Sequence, residues 1–281
     1  MIGFDHLGNL GRLGNQMFEF AALRGIAAHH GYDVCIPPAE HEGIENYSLH
    51  DCFKLDHIPT RFIATERYAQ EPHFHFSKEL FEGCPDNVSL YGFFQTEKYF
   101  VNAADIVRKD FTFHDSILQP CVDFMSQYAD QEPIMLHVRR GDPNLTDPRG
   151  FKWSYTQCSH QHPPQTLEYY EEALSHFDKD QPVIVFSDSP DWVQEQEFFG
   201  GDRFVISVPE DKYSDGSYEP YIDLCLMSLC SHAIIANSSL SWWGAWLQNG
   251  KGKVVAPKRW YGPAYADKDL SDLYCKDWIV V

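Results

Sequence analysis

The chain of 281 residues is short of basic side chains, with 22 Lys and Arg against 41 Asp and Glu and a formal charge of −19. Nucleic acids and anionic membranes recruit proteins through clustered Lys and Arg. The shortage therefore disfavours both as the main partner. Any anion that this protein binds must be held locally, where charge-assisted hydrogen bonds outweigh the screened field of the whole chain.

The sequence also has no long hydrophobic run and no signal-peptide pattern. Its first ten residues, MIGFDHLGNL, lack a basic segment followed by an apolar one, and no window approaches a membrane-spanning length. The eight cysteines are scattered without a C-x-x-C pair, in a chain long enough to fold without disulfides. We therefore predict a soluble, cytoplasmic protein with reduced thiols and no integral membrane segment, with a membrane-peripheral position as the open alternative.

Strong metal and cofactor motifs are missing too. Cys158, His160 and His162 share a segment, but no second ligand cluster accompanies them. The D-x-D pattern at Asp267 and Asp269 follows no apolar strand and is better interpreted as a solvated loop. The Gly-rich spacing G-x-x-G-x-x-G at residues 8–14 is neither the dinucleotide fingerprint nor the P-loop. These patterns do not call for a metal or a cofactor.

What the second half of the chain does contain is an alternation of short apolar segments and helical patterns. The apolar segments are 133–138, 182–187, 203–207, 232–236 and 253–257. Segments of this length that are apolar on both faces indicate strands of a parallel sheet buried under helices. The helical patterns lie at 166–177, 221–230 and 241–250. This alternation predicts a doubly wound α/β domain over residues 131–281.

The first half opens with the Gly-rich loop, which runs into a helix that is apolar nearly all round and ends at Gly31. Residues 88–100 suggest a strand that passes into a turn. We interpret residues 126–133 as a linker, so that residues 1–130 form an N-terminal domain. Two domains of comparable size that face each other would leave a central cleft, the usual position of a ligand site.

Two arginines stand where an apolar segment ends, in HVRRGD at residues 137–142. Ligands of open α/β sheets bind beyond the carboxyl ends of the strands, and Arg pairs two phosphate oxygens at once. Arg139 and Arg140 are therefore candidates for binding an anion. Structural ion pairs with some of the many acidic residues are the alternative interpretation.

A second candidate anion site is the segment NSSLSWWGAW. Asn237, Ser238 and Ser239 follow an apolar strand and precede a helix, so hydroxyl and backbone N–H groups converge on a helix N-terminus, which attracts anions. Simple N-capping is the alternative, although one capping residue is enough for that. For at least two of the three tryptophans that follow, we expect packing in the core.

Two acidic residues and one loop complete the candidates. Asp223 interrupts an otherwise apolar helix, and Asp188 follows a predicted strand. Each is either a solvated position or a carboxylate that accepts the N–H donors of a base such as guanine. In the first half, Asn15 and Gln16 offer side-chain donors and acceptors at the helix start, beside Gly14 of the Gly-rich loop.

Together these motifs resemble those of the bacterial-type α-1,2-fucosyltransferases, within the superfamily of enzymes that use GDP-fucose. GNQMF, HVRRGD and NSSLSWWGAW are the distinctive segments, and the resemblance covers nearly the whole chain in order. It implies a GT-B-like α/β fold of two Rossmann-like domains, with the acceptor on the N-terminal side and GDP-fucose on the C-terminal domain. It implies an inverting glycosyltransferase that needs neither metal nor cofactor and moves L-fucose from GDP-β-L-fucose to the 2-hydroxyl of a terminal β-galactoside.

The resemblance also implies roles for single residues. Arg139 would hold the diphosphate with support from its neighbours, Asp223 would face guanine, and the serine pair would contact phosphate. We nominate Asp142 as the catalytic base because it shares a loop with the arginines. The full set is Arg139 and Asp142 as catalytic residues; His137, Arg139, Arg140, Asp188, Asp223, Asn237, Ser238 and Ser239 around the donor; and Gly14, Asn15 and Gln16 near fucose or the acceptor.

Three alternatives stay open at this point. The protein could form another fucosyl linkage or use another GDP-sugar. It could also be a sugar-nucleotide-binding module without catalysis. A Rossmann-type oxidoreductase is disfavoured because the spacing of the Gly-rich loop does not fit a dinucleotide.

Overall fold

A computed structural model describes residues 1–40, 47–141, 154–207, 220–248 and 252–281. The chain divides into two compact units, the first made of residues 1–114 and 267–276 and the second of residues 115–266 and 277–281. The expected boundary between residues 130 and 131 lies inside the second unit. The reason is that residues 115–125 form a helix that packs on the helix at 220–229 of the same unit.

The first unit contains a parallel sheet. Its described elements are β1 (Ile2–Gly3), α1 (Leu13–His30), β2 (Val34–Cys35), α2 (Leu49–Cys52), β3 (Tyr68–Gln70), α3 (Lys78–Gly83), β4 (Val88–Tyr91) and α4 (Ala104–Asp110), with 3₁₀ turns at Glu97–Tyr99 and Val101–Ala103. The strand order is β2–β1–β4–β3. The chain leaves β1 toward β2 on one side, while β4 pairs with β1 on the other side. The segments that follow β1 and β4 therefore diverge from neighbouring strands, which makes this place a topological switch point of the sheet.

Helix α1 is the buried helix that the sequence predicts after the Gly-rich loop, and it is confirmed. It ends at Gly31, whose φ of 69° is the left-handed conformation that closes a helix. Most of its side chains are buried. Gly25 lies so close to the neighbouring chain that an added Cβ would stand 2.0 Å from the carbonyl oxygen of Tyr99. Helix and chain therefore pack backbone against backbone at this point.

The second unit contains a larger parallel sheet. Its described elements are α5 (Asp115–Met125), β5 (Ile134–Val138), α6 (Leu167–Leu174), β6 (Val183–Ser187), α7 (Pro190–Glu195), β7 (Phe204–Ile206), α8 (Pro220–Leu229), β8 (His232–Ile234), α9 (Ser239–Leu247), β9 (Val254–Ala256) and β10 (Ile279–Val280), with 3₁₀ turns at Ser126–Tyr128, Glu197–Phe199 and Pro263–Tyr265. The strand order is β10–β9–β8–β5–β6–β7. All five strands predicted for this half are confirmed. The two-residue strand β10 was not predicted.

Strand β5 lies in the middle of this sheet and is buried along its whole length. Ile134, Leu136 and Val138 belong to an apolar core that includes Tyr170 of α6 and Val185 of β6. Burial on both faces explains why the segment reads as a continuous apolar run rather than an alternating one. None of the helices in the described ranges combines the length and apolar character that crossing a bilayer requires.

The close approach at Gly25 can be tested by adding one methyl group. We expect Gly25→Ala to lower the free energy of unfolding by roughly 1–3 kcal/mol, because the new Cβ meets backbone atoms that cannot rotate away. Gly83→Ala is the matched control, since a Cβ there would meet nothing within 4 Å. Urea unfolding measures both variants. A Gly25→Ala protein as stable as the wild type would contradict this packing of α1.

Candidate active site

The second sheet has its own switch point between β5 and β8. The chain runs from β5 outward to β6 and β7, and then returns to β8 on the other side of β5. The arginine segment leaves β5 and the Asn-Ser-Ser segment leaves β8, so both emerge at the place where open α/β sheets bind ligands. In the register of β5 and β6, Val138 is opposite Ser187, which brings Arg139 beside Asp188.

Asp188 fixes the conformation of the arginine loop. One carboxylate oxygen accepts from Nη1 of Arg139 at 2.5 Å and from the backbone N–H of Gly141 at 2.8 Å, and the other accepts from the backbone N–H of Arg140 at 2.9 Å. Asp188 was predicted to contact the donor. Internal donors bond to both of its oxygens, so the carboxylate positions the arginine loop, and its contact with the donor stays a prediction.

Arg139 forms an internal ion pair with Asp188, so the alternative interpretation of a structural ion pair is confirmed in part. Its side chain is 21% exposed. Burial disfavours its charge, but the carboxylate of Asp188 and the side chain of Tyr155 outweigh that effect and raise the pKa of Arg139. A guanidinium has five N–H donors, and the ion pair uses one of them. Arg139 is therefore oriented by Asp188 and keeps donors for a ligand.

Arg140 lies against an aromatic ring. Its guanidinium carbon is 3.8 Å from the ring centroid of Trp192 in α7, a cation–π contact. The backbone of Arg140 is also tied to the following segment, because its carbonyl oxygen accepts from the N–H of Tyr155 at 2.7 Å. Trp192 was not among the predicted residues. Its position four residues after Asp188, near the end of a predicted strand, was the one sequence feature that could have pointed to it.

The N-terminus of α9 has no side-chain cap within the described residues. Ser238 is the capping residue, and the first intrahelical bond runs from Trp242 N–H to its carbonyl oxygen at 3.0 Å. The N–H groups of Ser239, Leu240 and Ser241 precede that bond and gather at the positive end of the helix dipole. Simple N-capping does not account for the serines. The helix start is therefore suited to an anion.

The three tryptophans behind this helix start pack in the core. Trp242 and Trp243 are fully buried and Trp246 is 7% exposed. Their rings stack edge to face, with centroids 5.1 and 5.2 Å apart. The expectation that at least two of them serve packing is confirmed.

The side chain of Asn237 is bonded within the same unit through its Nδ2 atom, its Oδ1 atom has no hydrogen-bond partner, and its contact with the donor stays a prediction. Its side-chain amide donates to the carbonyl oxygens of Pro163 at 2.9 Å and Trp260 at 3.0 Å. Its own carbonyl accepts from the hydroxyl of Tyr155 at 3.2 Å. Tyr155 also lies 5.2 Å from Arg139, measured from guanidinium carbon to ring centroid. This tyrosine, which no sequence pattern singled out, links the loops that follow β5 and β8.

His137 is neutral at physiological pH. It is 4% exposed in the middle of the sheet, and burial, with the charge of Arg139, lowers its pKa to about 4. Its carbonyl oxygen accepts from the hydroxyl of Tyr170 at 3.0 Å. The side chain therefore contributes no positive charge to an anion site.

Asp223 lies in the first turn of α8 and is 9% exposed. The interpretation of a solvated position is therefore wrong. Burial, with a smaller contribution from Asp188, raises the pKa of Asp223 to about 7, and its Oδ1 atom has no hydrogen-bond partner. A buried acceptor without a donor is costly. The carboxyl group is thus suited to a ligand that brings N–H donors.

The candidates of the first unit lie in the first turn of α1. Gln16 is fully buried, and its Oε1 atom accepts from the N–H of Ser48 at 3.0 Å, so it holds the protein together. Asn15 is half-buried and accepts from the side chain of Gln95 at 2.8 Å. Gly14 is buried beside them. Of the three, Asn15 is the one placed at the surface of the switch point between β1 and β4.

Asp142 lies outside the described residues, so its role as catalytic base stays a prediction. In the part of the chain that the structure describes, no cluster of three or more His, Cys, Asp or Glu side chains could hold a metal ion.

An open parallel sheet whose switch point carries arginines and an uncapped helix start is typical of α/β proteins that bind phosphate-bearing ligands. The family comparison narrows this class. Residues 5–281 match the family described as glycosyl transferase family 11. The chain belongs to this family and is a glycosyltransferase, and the resemblance inferred from its motifs is confirmed.

Named relatives share most of the chain. It is 30% identical over 229 residues to the O-antigen biosynthesis glycosyltransferase WbnK of Escherichia coli, covering 77% of this chain and 68% of that one. It is 26% identical over 280 residues to the alpha-1,2-colitosyltransferase of Escherichia coli, covering 89% and 90%. It is 24% identical over 262 residues to galactoside alpha-(1,2)-fucosyltransferase 2 of Sus scrofa, covering 88% and 70%.

Solved fucosyltransferases share the fold. POFUT1 in complex with GDP matches with a TM-score of 0.52 and 14% identity, over 89% of this chain and 95% of that one. The α-1,6-fucosyltransferase NodZ co-crystallized with GDP matches with a TM-score of 0.53 and 12% identity, over 86% and 90%. The α/β fold with parallel sheets is thereby confirmed.

The role of Asp188 predicts a loss of stability on its removal. We expect Asp188→Ala to lower the free energy of unfolding by roughly 1–3 kcal/mol, because it leaves two backbone N–H groups and the half-buried Arg139 without their acceptor. Asp202→Ala, at an exposed position of the same unit, serves as control. Urea unfolding measures both. Equal stabilities would show that Asp188 does not hold the loop.

Proposed function

We propose that the protein is an inverting α-1,2-fucosyltransferase that moves L-fucose from GDP-β-L-fucose to the 2-hydroxyl of a terminal β-galactoside, without a metal ion. The observation that carries the proposal is the pairing of Arg139 with the α9 helix start at one switch point. Relatives named as α-1,2-transferases support the linkage. Fucosyltransferases of similar fold with bound GDP support the donor.

In this proposal the two units correspond to the two Rossmann-like domains of a GT-B enzyme. The second unit binds GDP-fucose and the first unit binds the acceptor. The parallel order of both sheets and a switch point in each agree with that division of roles.

The chemistry requires stabilisation of the leaving group. As the bond between the fucose C1 and the phosphate oxygen breaks, GDP departs with the electron pair and its negative charge increases. Arg139 stays charged at any working pH, and the N–H groups that open α9 are fixed donors. One well-aimed donor of this kind is worth about 2.7–4 kcal/mol in the barrier. Together they do for the diphosphate what a metal ion does in other transferases.

Asp223 is the proposed partner of the base. The edge of guanine presents N–H groups. Both oxygens of an ionised carboxylate accept hydrogen bonds from such groups, whereas the hydroxyl oxygen of a protonated carboxyl group accepts them less well. Binding would satisfy the Oδ1 atom that has no partner in the protein. The carboxyl group then explains a preference for guanine over bases that present an acceptor at the same position.

A second candidate differs only in the sugar. One relative that covers 89% of the chain is named an alpha-1,2-colitosyltransferase rather than a fucosyltransferase. Another GDP-linked deoxy sugar is therefore the alternative donor, with the same phosphate and base contacts.

The direct test incubates the protein with GDP-fucose and a panel of β-galactosides in the presence of EDTA. The proposal expects GDP release and a product with fucose on the galactose 2-hydroxyl. Release of GDP only with a different GDP-sugar would favour the second candidate. Binding of GDP-fucose without any transfer, or transfer abolished by EDTA and restored by a divalent cation, would contradict the proposal.

Removal of the Arg139 guanidinium should abolish most of the activity. We expect Arg139→Ala to lower kcat for transfer by about 10²–10³-fold, the usual effect of losing one donor to the developing charge. Arg259→Ala, an exposed arginine of the same unit, is the control and should retain full activity. Steady-state kinetics of GDP release measure both. Wild-type rates for Arg139→Ala in a folded protein would refute the role.

GDP binding should depend on pH through Asp223. Burial raises the pKa of this group to about 7, so below pH 7 it is protonated and must lose its proton to accept the base. The affinity for GDP should therefore rise by up to about tenfold per unit as the pH increases toward 7, and should level off above it.

The control for this pH dependence is Asp223→Asn, which should show only the titration of GDP itself. Isothermal titration calorimetry between pH 5.5 and 8.5 measures both proteins. Parallel pH profiles for the two proteins would contradict the assignment of Asp223.

A further inference from the structure

Glu71 stands at the carboxyl edge of the first sheet, directly after β3. Its backbone N–H donates to the carbonyl oxygen of Tyr91 at 2.8 Å, which continues the pairing of β3 with β4. Its carboxylate accepts from the N–H of Phe93 at 2.8 Å and from the N–H of Phe94 at 3.1 Å. The side chain therefore lies over the turn that follows β4, next to the switch point of this sheet.

A glycine makes room for this carboxylate. Gly92 has a φ of 149°, and an added Cβ would stand 2.4 Å from the Cβ of Glu71 and 2.8 Å from its Oε2 atom. A residue with a side chain would displace Glu71 from the turn. The backbone conformation and the carboxylate position thus depend on each other.

Glu71 has an unusual electrostatic setting. Burial raises its pKa to about 7, against the opposing effects of the two N–H bonds, Lys268 and His73. Two other titratable groups face it, Glu19 from α1 and Tyr99 from the 3₁₀ turn, and burial raises the pKa of both. Glu19 is fully buried with neither oxygen partnered, and this burial disfavours its charged form.

The surroundings of Glu71 suit a hydroxyl-rich ligand. Asn15 and Gln95, joined by a hydrogen bond of 2.8 Å, present amides at the same switch point. Phe93 is 42% exposed beside the carboxylate, and an exposed aromatic face next to polar groups is typical of ligand sites. The Oε2 atom of Glu71 accepts from both N–H groups and Oε1 from that of Phe94 alone, so Oε1 keeps a lone pair that can take a proton.

We propose that Glu71, rather than Asp142, is the general base of the transfer, an inference that rests on the proposed function. The acceptor hydroxyl oxygen forms a bond to C1 of the transferred sugar while its proton passes to the Glu71 carboxylate. The bond between C1 and the phosphate oxygen breaks, and its electron pair leaves with GDP. The proton is later released to solvent, which restores the carboxylate.

The protonation behaviour of Glu71 fits this task. A general base works best when its pKa lies near the operating pH, because it is then ionised before the reaction and still basic enough to take a proton. The two backbone N–H bonds fix its orientation. Glu19 is not suited to the role, because it is inaccessible to solvent.

The experiment measures kcat/KM for the galactoside at saturating GDP-fucose, between pH 5.5 and 8.5. Saturation with donor keeps the nucleotide bound, so that the titration of Asp223 does not enter the profile. For the wild type we expect a tenfold fall per pH unit below about 7. Glu71→Gln keeps a carbonyl oxygen for the turn but no basic group, and should lose about 10²–10⁴-fold in rate together with this pH dependence.

Three readouts separate a base from a residue that only holds the turn. Glu71→Gln should bind GDP with wild-type affinity, Glu71→Asp should regain part of the rate and the pH dependence, and Glu66→Gln, an exposed glutamate before β3, should behave as the wild type. A wild-type profile that is flat below pH 7, or a Glu71→Gln rate within tenfold of wild type, would overturn the inference alone. A wild type that transfers no sugar at all would overturn the proposed function as well.

Discussion

The bonds that Asp188 accepts are the constraint on which the candidate donor site depends. A single carboxylate after β6 orients the side chain of Arg139 and the backbone of the next two residues after β5. Without it, two adjacent guanidinium groups would repel each other at a half-buried strand end. With it, Arg139 is charged and oriented at the end of β5, the strand that pairs with β8, after which α9 begins. The arrangement is thus prepared for an anion before any ligand arrives, which is the condition for electrostatic catalysis.

The two sheets place their candidate ligand-binding groups in the same way. In each, the order of strands creates a switch point, and a side-chain hydrogen bond ties together the segments that follow its two central strands. In the first sheet Asn15 and Gln95 make this connection, and in the second sheet Tyr155 joins the arginine loop to Asn237. Loops fixed in this way hold ligand-binding groups more precisely than free loops do.

The sequence predicts the parts of this protein that follow from periodicity and lie near one another in the chain. The apolar runs of the second half, the buried helix after the Gly-rich loop and the strand-end position of Arg139 are such features. It does not predict which acid pairs with Arg139, because that depends on the register of β5 and β6. Nor does it predict Glu71 or Tyr155, whose roles come from tertiary contacts alone. For Asp223, burial rules out the solvated position, which its helical spacing alone does not do.

The most direct measurement of the central claim is a crystal structure of the protein with GDP. The account predicts the diphosphate within hydrogen-bond distance of the Arg139 guanidinium and of the backbone N–H groups that open α9, with the Asp188 bonds to the arginine loop retained. A diphosphate bound elsewhere, with Arg139 paired to Asp188 alone, would contradict it.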